Sequence, residues 1–364
     1  MQSQGGAGEI WDLTANESVA RLSPDRLVCV QIRDGQWQVQ LESGASVIRG
    51  PLSGGRMLEL RPVGRGVLSY GKEKPFRCRG VVRCIGEPDG GFALVNVLDM
   101  ESYLKGVVGS EMYAYWHMEA LRAQSVASRT YALYQMNGKG KAGWDIGSSQ
   151  SSQVYKGLGQ ESQRVNRAVE DTRGVVLAYG PENREKLIPA YYSSICGGHT
   201  QDMRGVFGED MAPLRGRDCP YCQKTSRPDL YRWSTAIRKE EVNRRLMARY
   251  PTLSELEGIT DIQVVQRDAS GRVLQVRLVG SKGKDRSLSG EQFRLAVSSA
   301  DKPLLSSWYK LADGGDSWRF ADGRGWGHGV GLCQHGSQGM AQAGKDCIEI
   351  LNYYYPDARL FRVY

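Results

Sequence analysis

The sequence predicts an α+β protein: a small β-rich N-terminal domain, then a mixed core organised around two adjacent helices. Three observations predict it. Up to residue 97 the chain consists of short alternating apolar and polar runs separated by Gly and Pro. Residues 99–137 switch to helical spacing. The rest mixes short strand-like runs with short amphipathic helices. With 364 residues, 40% hydrophobic and 24% charged, the chain has room for two or three domains and is neither disordered nor a coiled coil.

Residues 1–8 read as a flexible tail. Residues 9–97 read as the β-rich domain, with strands such as 27–32, 36–41 and 92–97. Its turns are marked by Asp34-Gly35, Gly50-Pro51, Gly54-Gly55 and Pro88-Asp89-Gly90-Gly91. Cys29, Cys78 and Cys84 read as buried thiols, one disulfide being the alternative.

Residues 98–364 form the second region. Tyr103, Leu104, Val107 and Val108 share one face of a first helix, Glu101 and Lys105 form a surface i,i+4 pair, and Gly109 is the expected stop. Ala120, Ala123, Ala127, Tyr131 and Tyr134 line a second, buried helix that ends at Asn137-Gly138. Between them sit Ser110, Glu111 and Met112, then Tyr113, Tyr115 and Trp116. Glu111 is either a surface or capping carboxylate, or an acid wedged between packed helices. Desolvation in the second case favours the protonated carboxyl that a general acid needs.

The segment 152–157, SQVYKG, follows a loop. A helix is expected at 161–172 with Val165, Ala168 and Val169 inward, then strands at 174–178 and 187–193. A basic helix is expected at 231–250. Strands 262–266 and 272–279 flank the turn residues 268–271, and a short helix begins at 291, so about 235–310 reads as a hairpin and helix subdomain. A Gly-rich stretch, 323–344, leads to a helix at 348–355 stopped by Pro356.

Charge narrows the partners. The 48 Lys and Arg against 40 Asp and Glu give +8, which favours an anionic partner. The basic residues are dispersed, with no run of five or six, so an acidic polymer such as cell wall is favoured and nucleic acid is not. No stretch reaches the ~18 apolar residues of a membrane span. The first residues lack the basic and apolar parts of a signal peptide, so the chain is either cytoplasmic or has lost its leader.

Two further patterns carry chemistry. Cys196-x-x-His199, followed after nineteen residues by Cys219-x-x-Cys222, has the spacing of a structural Cys₃His zinc site. A disulfide from Cys196 to Cys219 or Cys222 is the competing reading. The run 323–336, GRGWGHGVGLCQHG, reads as a substrate-lining loop, a tight structural turn, or a Cys333–His nucleophilic pair, in that order. The disulfide status of Cys333 and Cys347 is not legible.

Several stretches taken together, VLDMESYLKGVVGSEM, EALRAQSVASRTYAL, SQVYKG, YYSSICGGHT, GRGWGHGVGLCQHGSQGMA and EILNYYYP, resemble the stage II sporulation protein D (SpoIID)/LytB family in order over about 97–356. The resemblance implies an exported, cell-envelope protein acting on peptidoglycan, its signal or anchor missing from the sequence as it stands. It implies a lytic transglycosylase that cleaves MurNAc–GlcNAc bonds of peptide-stripped glycan strands and leaves 1,6-anhydro-MurNAc ends. The family's catalytic glutamate falls on Glu111, with Tyr113 where the motif has Pro. Gln153, Tyr155, Trp326, His328 and Gln334 fall on positions that resemble groove residues. Some relatives bind zinc through other positions, and Cys333 stands where many have Ser, which reads as a small packed side chain. The alternative within the family is a non-enzymatic amidase enhancer of LytB type, with a cell-wall amidase as partner.

Overall fold

A computed structural model of the chain describes residues 1–33, 36–51, 57–64, 66–71, 73–87, 90–138 and 143–364. The turns expected at Asp34-Gly35, Gly54-Gly55 and Pro88-Asp89 lie outside the described residues. The fold is α+β, and it divides into two compact units.

The first unit comprises residues 1–115 and 132–173. Its main sheet is antiparallel, in the order Phe92–Val97, Val81–Gly86, Met57–Pro62, Gly8–Asp12, Glu17–Leu22. Alternation does what it predicts here: Ile10, Leu58, Leu60, Val82 and Cys84 point into one core, joined by Trp37 and Val39 from the sheet of Val28–Arg33, Gln36–Leu41 and Ser46–Pro51. That last strand runs through Gly50-Pro51, which were expected to break it. Residues 1–8 are no loose tail. Gln2–Gln4 pairs with Val67–Tyr70, and Ser3 is buried. Cys78 and Cys84 are buried thiols, whereas Cys29 is exposed.

Helix α1, Met100–Glu111, belongs to this unit and not, as the division at residue 97 implied, with the rest of the chain. Asp99 caps it by accepting from the Ser102 amide at 3.0 Å. Tyr103, Leu104, Val107 and Val108 are buried as their spacing predicts, and each of the three aliphatic side chains contributes roughly 1.5–3 kcal/mol. Gly109 does not stop the helix. A Cβ there would stand 2.0 Å from the Gln160 carbonyl oxygen, so the glycine admits the Gly157–Gln160 turn against the helix. Glu101 is buried, not on the surface, and the ion pair of Lys105 is made with Glu170 at 2.8 Å. Glu170 lies on α3, Gln163–Asp171, whose Val165, Ala168 and Val169 face inward as expected.

The second unit comprises residues 116–131 and 174–364. Helix α2, Met118–Gly138, contributes its first turns here, with Ala120, Ala123, Ala127 and Tyr131 buried. It lies along Val175–Tyr179: Leu177 donates its amide to Thr130 Oγ1 at 3.0 Å. The expected strand at 187–193 is two short pieces, Lys186–Leu187 and Tyr192–Ser193. The expected basic helix at 231–250 begins as a strand, Arg232–Arg238, because Trp233 and Ile237 alternate into the core; Lys239–Arg249 is the helix. Its sheet partners are Ser317–Arg324 and Lys310–Asp313. The hairpin of Ile259–Arg267 and Val273–Gly280 is present, extended by Asp285–Ser289. No helix among the described residues is long and apolar enough to cross a membrane.

Candidate functional site

Glu111 is the last residue of α1 and is half-buried. Its Oε1 accepts the backbone N–H of Val154 at 2.8 Å. The residues on either side of Val154 are held independently. Gln153 is fully buried, and its Oε1 accepts from the Tyr103 hydroxyl at 3.0 Å. Tyr155 donates its hydroxyl to Asn96 Oδ1 at 2.7 Å and packs against Tyr103 and Phe76, with ring centres 5.2 and 5.8 Å apart. Both side chains were expected to line a groove; their burial makes them supports that hold the Val154 amide in place instead.

The aromatics that follow Glu111 differ in exposure. Tyr113 and Tyr115 are 56% and 75% exposed and stack on each other, ring centres 5.4 Å apart at 22°. Two near-parallel exposed rings beside an acid form a flat apolar platform, and the alternation Tyr-x-Tyr is its sequence signature. Trp116 is buried, its ring edge-on to His335 in the second unit. Glu119 is a first-turn residue of α2; it pairs with Arg122, and its Oε2 accepts from the Cys347 amide at 2.9 Å.

In the second unit Trp326 is exposed, its backbone paired with Ile195. His328 packs against Tyr191 and Phe207, and its Nδ1 accepts from the Val330 amide at 3.0 Å, which places the neutral ring's proton on Nε2. Burial pushes its pKa down to about 4. Gln334 is buried at the start of the Gln334–Gln342 helix.

Four thiols converge in this unit. The Sγ atoms of Cys196, Cys219, Cys222 and Cys333 all lie within 4.8 Å of one another, and all four residues are buried, so the group could hold a metal ion. Cys196, Cys219 and Cys222 were expected there. The expected fourth ligand, His199, is not in the group: its Nδ1 is 2.6 Å from its neighbour's carbonyl, Thr200 O. Cys333 takes the place instead. The parallel pairing of Tyr192–Ser193 with Leu332–Cys333 carries it to Cys196, whose amide donates to Cys333 Sγ at 3.3 Å. This long-range register had no local signal, so the sequence could not pair residue 333 with residue 196. Burial drives the Cys196 and Cys333 thiols upward, while hydrogen bonding from Cys196 pulls Cys219 down. Sulfurs packed this closely share little negative charge without a cation among them.

Residues 88–179 match the family described as "Stage II sporulation protein", and residues 220–331 match "Domain of unknown function (DUF8618)". An uncharacterized protein of Brachyspira hyodysenteriae is 36% identical over 263 residues, 72% of this chain and 66% of that protein. The amidase enhancer of Bacillus subtilis is 26% identical over 298 residues, 71% of this chain and 40% of the enhancer. Stage II sporulation protein D of Bacillus subtilis is 26% identical over 283 residues, 73% and 75% of the two chains. The chain thus spans 66% of the first of these relatives and 40% of the second.

Proposed function

Since this chain belongs to the stage II sporulation protein D family, we propose that it is an exported peptidoglycan lytic transglycosylase with Glu111 as its general acid and base. The observation that carries this reading is the seat of Glu111, held at Oε1 by the Val154 amide at the end of α1 and followed in the chain by two exposed, stacked tyrosine rings. Glu111, protonated, gives its proton to the oxygen linking MurNAc C1 to GlcNAc as the C1–O bond breaks. The carboxylate then takes the proton of the MurNAc C6 hydroxyl while O6 bonds to C1. The product is a 1,6-anhydro ring, with no water consumed and the acid regenerated. One carboxyl suffices, unlike the paired carboxylates of hydrolytic glycosidases. The exposed Tyr113–Tyr115 pair supplies an apolar face of the kind sugar rings stack on.

We read the four-thiol group as a zinc site. Four protein ligands close its coordination shell, so it has a structural part and no step in the reaction.

The second reading is a non-enzymatic activator of a cell-wall amidase, favoured by the relative named amidase enhancer. Incubation with peptide-stripped glycan strands and analysis of the products separates the two. Anhydro-MurNAc ends that vanish in Glu111→Gln support cleavage. Their absence with wild type, together with a faster amidase in its presence, supports activation.

A further inference from the structure

Resting on the zinc reading above, we infer that the metal centre is a four-cysteine site, Cys196, Cys219, Cys222 and Cys333, whose surplus negative charge is balanced by the buried guanidinium of Arg272. Tetrahedral zinc at about 2.3 Å from each sulfur requires sulfurs about 3.8 Å apart. The Cys196 and Cys222 sulfurs are 3.6 Å apart, and none of the four is more than 4.8 Å from another. A disulfide needs about 2.05 Å. An iron–sulfur cube needs room for its own atoms between the thiolates, which this spacing does not give.

The surroundings are built for thiolates. Cys333 Sγ accepts two backbone amides, from Cys196 and Gly336, each at 3.3 Å. The Tyr354 hydroxyl reaches Cys219 Sγ at 3.1 Å. A Cβ on Gly336 would stand 2.0 Å from that hydroxyl and 2.7 Å from the Cys219 sulfur, so a glycine opens the helix here to admit both.

Four thiolates around a divalent ion carry two net negative charges, and burying them calls for a nearby cation. Arg272 answers that need. It is fully buried and donates Nη2 to the Cys196 carbonyl at 2.5 Å, while its Nε and Nη1 have no hydrogen-bond partner among the described residues. The nearby carboxylates are otherwise engaged. Glu291 pairs with Arg294, and Asp268 Oδ1 accepts the amides of Ser270, Gly271 and Arg272. A buried guanidinium with no carboxylate of its own fits a charge partner for the metal–thiolate group. It also ties the centre to the glycine-rich run, since its Nη2 would lie 2.6 Å from a Cβ at Gly329.

The test uses the purified full chain under reducing conditions, loaded with zinc and, separately, with cobalt(II). Wild type is expected to bind one zinc per chain and to show the intense sulfur-to-cobalt absorption of four thiolates. Cys333→Ser should lose about a quarter of that absorption, and His199→Ala none. Arg272→Met should weaken zinc binding by about 10–100-fold, the range for groups that support metal ligands, with partial rescue in Arg272→Lys. Where Cys333→Ser does not fold, alkylation of wild type before and after chelation decides: Cys196, Cys219, Cys222 and Cys333 should become reactive together. A wild type that binds no metal overturns the zinc reading itself. Metal lost in His199→Ala but kept in Cys333→Ser, with Cys333 alkylated independently of chelation, overturns the four-cysteine assignment alone. Unchanged affinity and spectrum in Arg272→Met overturn the charge partner.

Discussion

The backbone amide of Val154 donates to Oε1 of Glu111 at 2.8 Å, and this bond joins the SQVY segment to the end of α1. An amide donor is insensitive to the identity of the side chain at residue 154, so the contact is specified by backbone position. It also survives in Glu111→Gln, whose carboxamide oxygen can still accept. That substitution should therefore leave the melting temperature within a few degrees of wild type while lowering formation of anhydro ends by about 10²-fold or more, the contribution general of positioned acids and bases. Product analysis with peptide-stripped strands measures the first quantity and calorimetry the second. Cleavage at the wild-type rate would remove Glu111 from the reaction.

Gln153 owes its place to Tyr103, whose hydroxyl donates to its Oε1 across a buried gap of 3.0 Å. Tyr103→Phe deletes one oxygen and leaves the ring packing. The cost in stability should be about 1–3 kcal/mol, since a buried amide oxygen loses a donor. Turnover should fall further than substrate binding, because the Val154 amide next to Gln153 is freed to shift. A rise in KM with kcat unchanged would contradict this positioning role.

Tyr115 is three-quarters exposed and stacked on Tyr113, so its ring contributes little to folding. Tyr115→Ala should leave the melting temperature unchanged and weaken the hold on glycan strands by about 0.5–1.5 kcal/mol, the scale of one aromatic contact. Pull-down with insoluble glycan measures it. Equal binding by wild type and variant would show that the platform does not meet the sugar.

What could be read from the sequence was local. The buried faces of α1 and α3 followed from 3.6-residue spacing, and Glu111 stood out between two helical runs. Three kinds of feature could not be read this way. Gly109 looked like a stop because nothing nearby announces the turn at Gly157–Gln160 that packs on it. The family resemblance placed Gln153 and Tyr155 among groove residues, and nothing local announces the burial that their partners, Tyr103 and Asn96, give them. His199 looked like a ligand because its spacing from Cys196 is right, yet strand register delivered Cys333 instead. For Gly109 and His199 a distant segment overruled a local pattern.

His328 predicts a pH dependence with a definite sign. Burial, opposed by the Glu291 carboxylate and aided by Arg294, pushes its pKa down to about 4, against about 6.5 unfolded. Between those values the unfolded chain binds the proton and the folded chain does not. Stability from this group is therefore full above about pH 6.5 and is lost as pH falls toward 4. His335, also lowered chiefly by burial, adds in the same direction. The carboxylates of Glu59 and Glu291, held low by Arg83 and Arg294, lose their contribution only further down. Melting temperature should thus begin to fall below pH 6.5, and His328→Gln should flatten that first part of the curve. An unaltered slope between pH 6.5 and 4.5 in the variant would show that the ring does not carry the effect.

Gly109 offers a test of how tightly α1 is clasped. In a free helix, replacing glycine with alanine would stabilise by up to about 1 kcal/mol. Here the new methyl would meet the Gln160 carbonyl oxygen at 2.0 Å, with the Gln160 carbonyl carbon at 2.9 Å, and backbone cannot rotate aside as a flexible side chain does. The Gly157–Gln160 turn would have to move, and with it the Arg79–Glu161 pair, both of whose hydrogen bonds are 3.0 Å. Overpacking of this kind costs about 1–3 kcal/mol. Gly109→Ala should therefore lower the denaturation midpoint, the opposite of its helix propensity. Because Glu111 lies half a turn further along, it should also reduce cleavage more than the stability loss explains. A variant more stable than wild type would mean that the turn does not press on the helix.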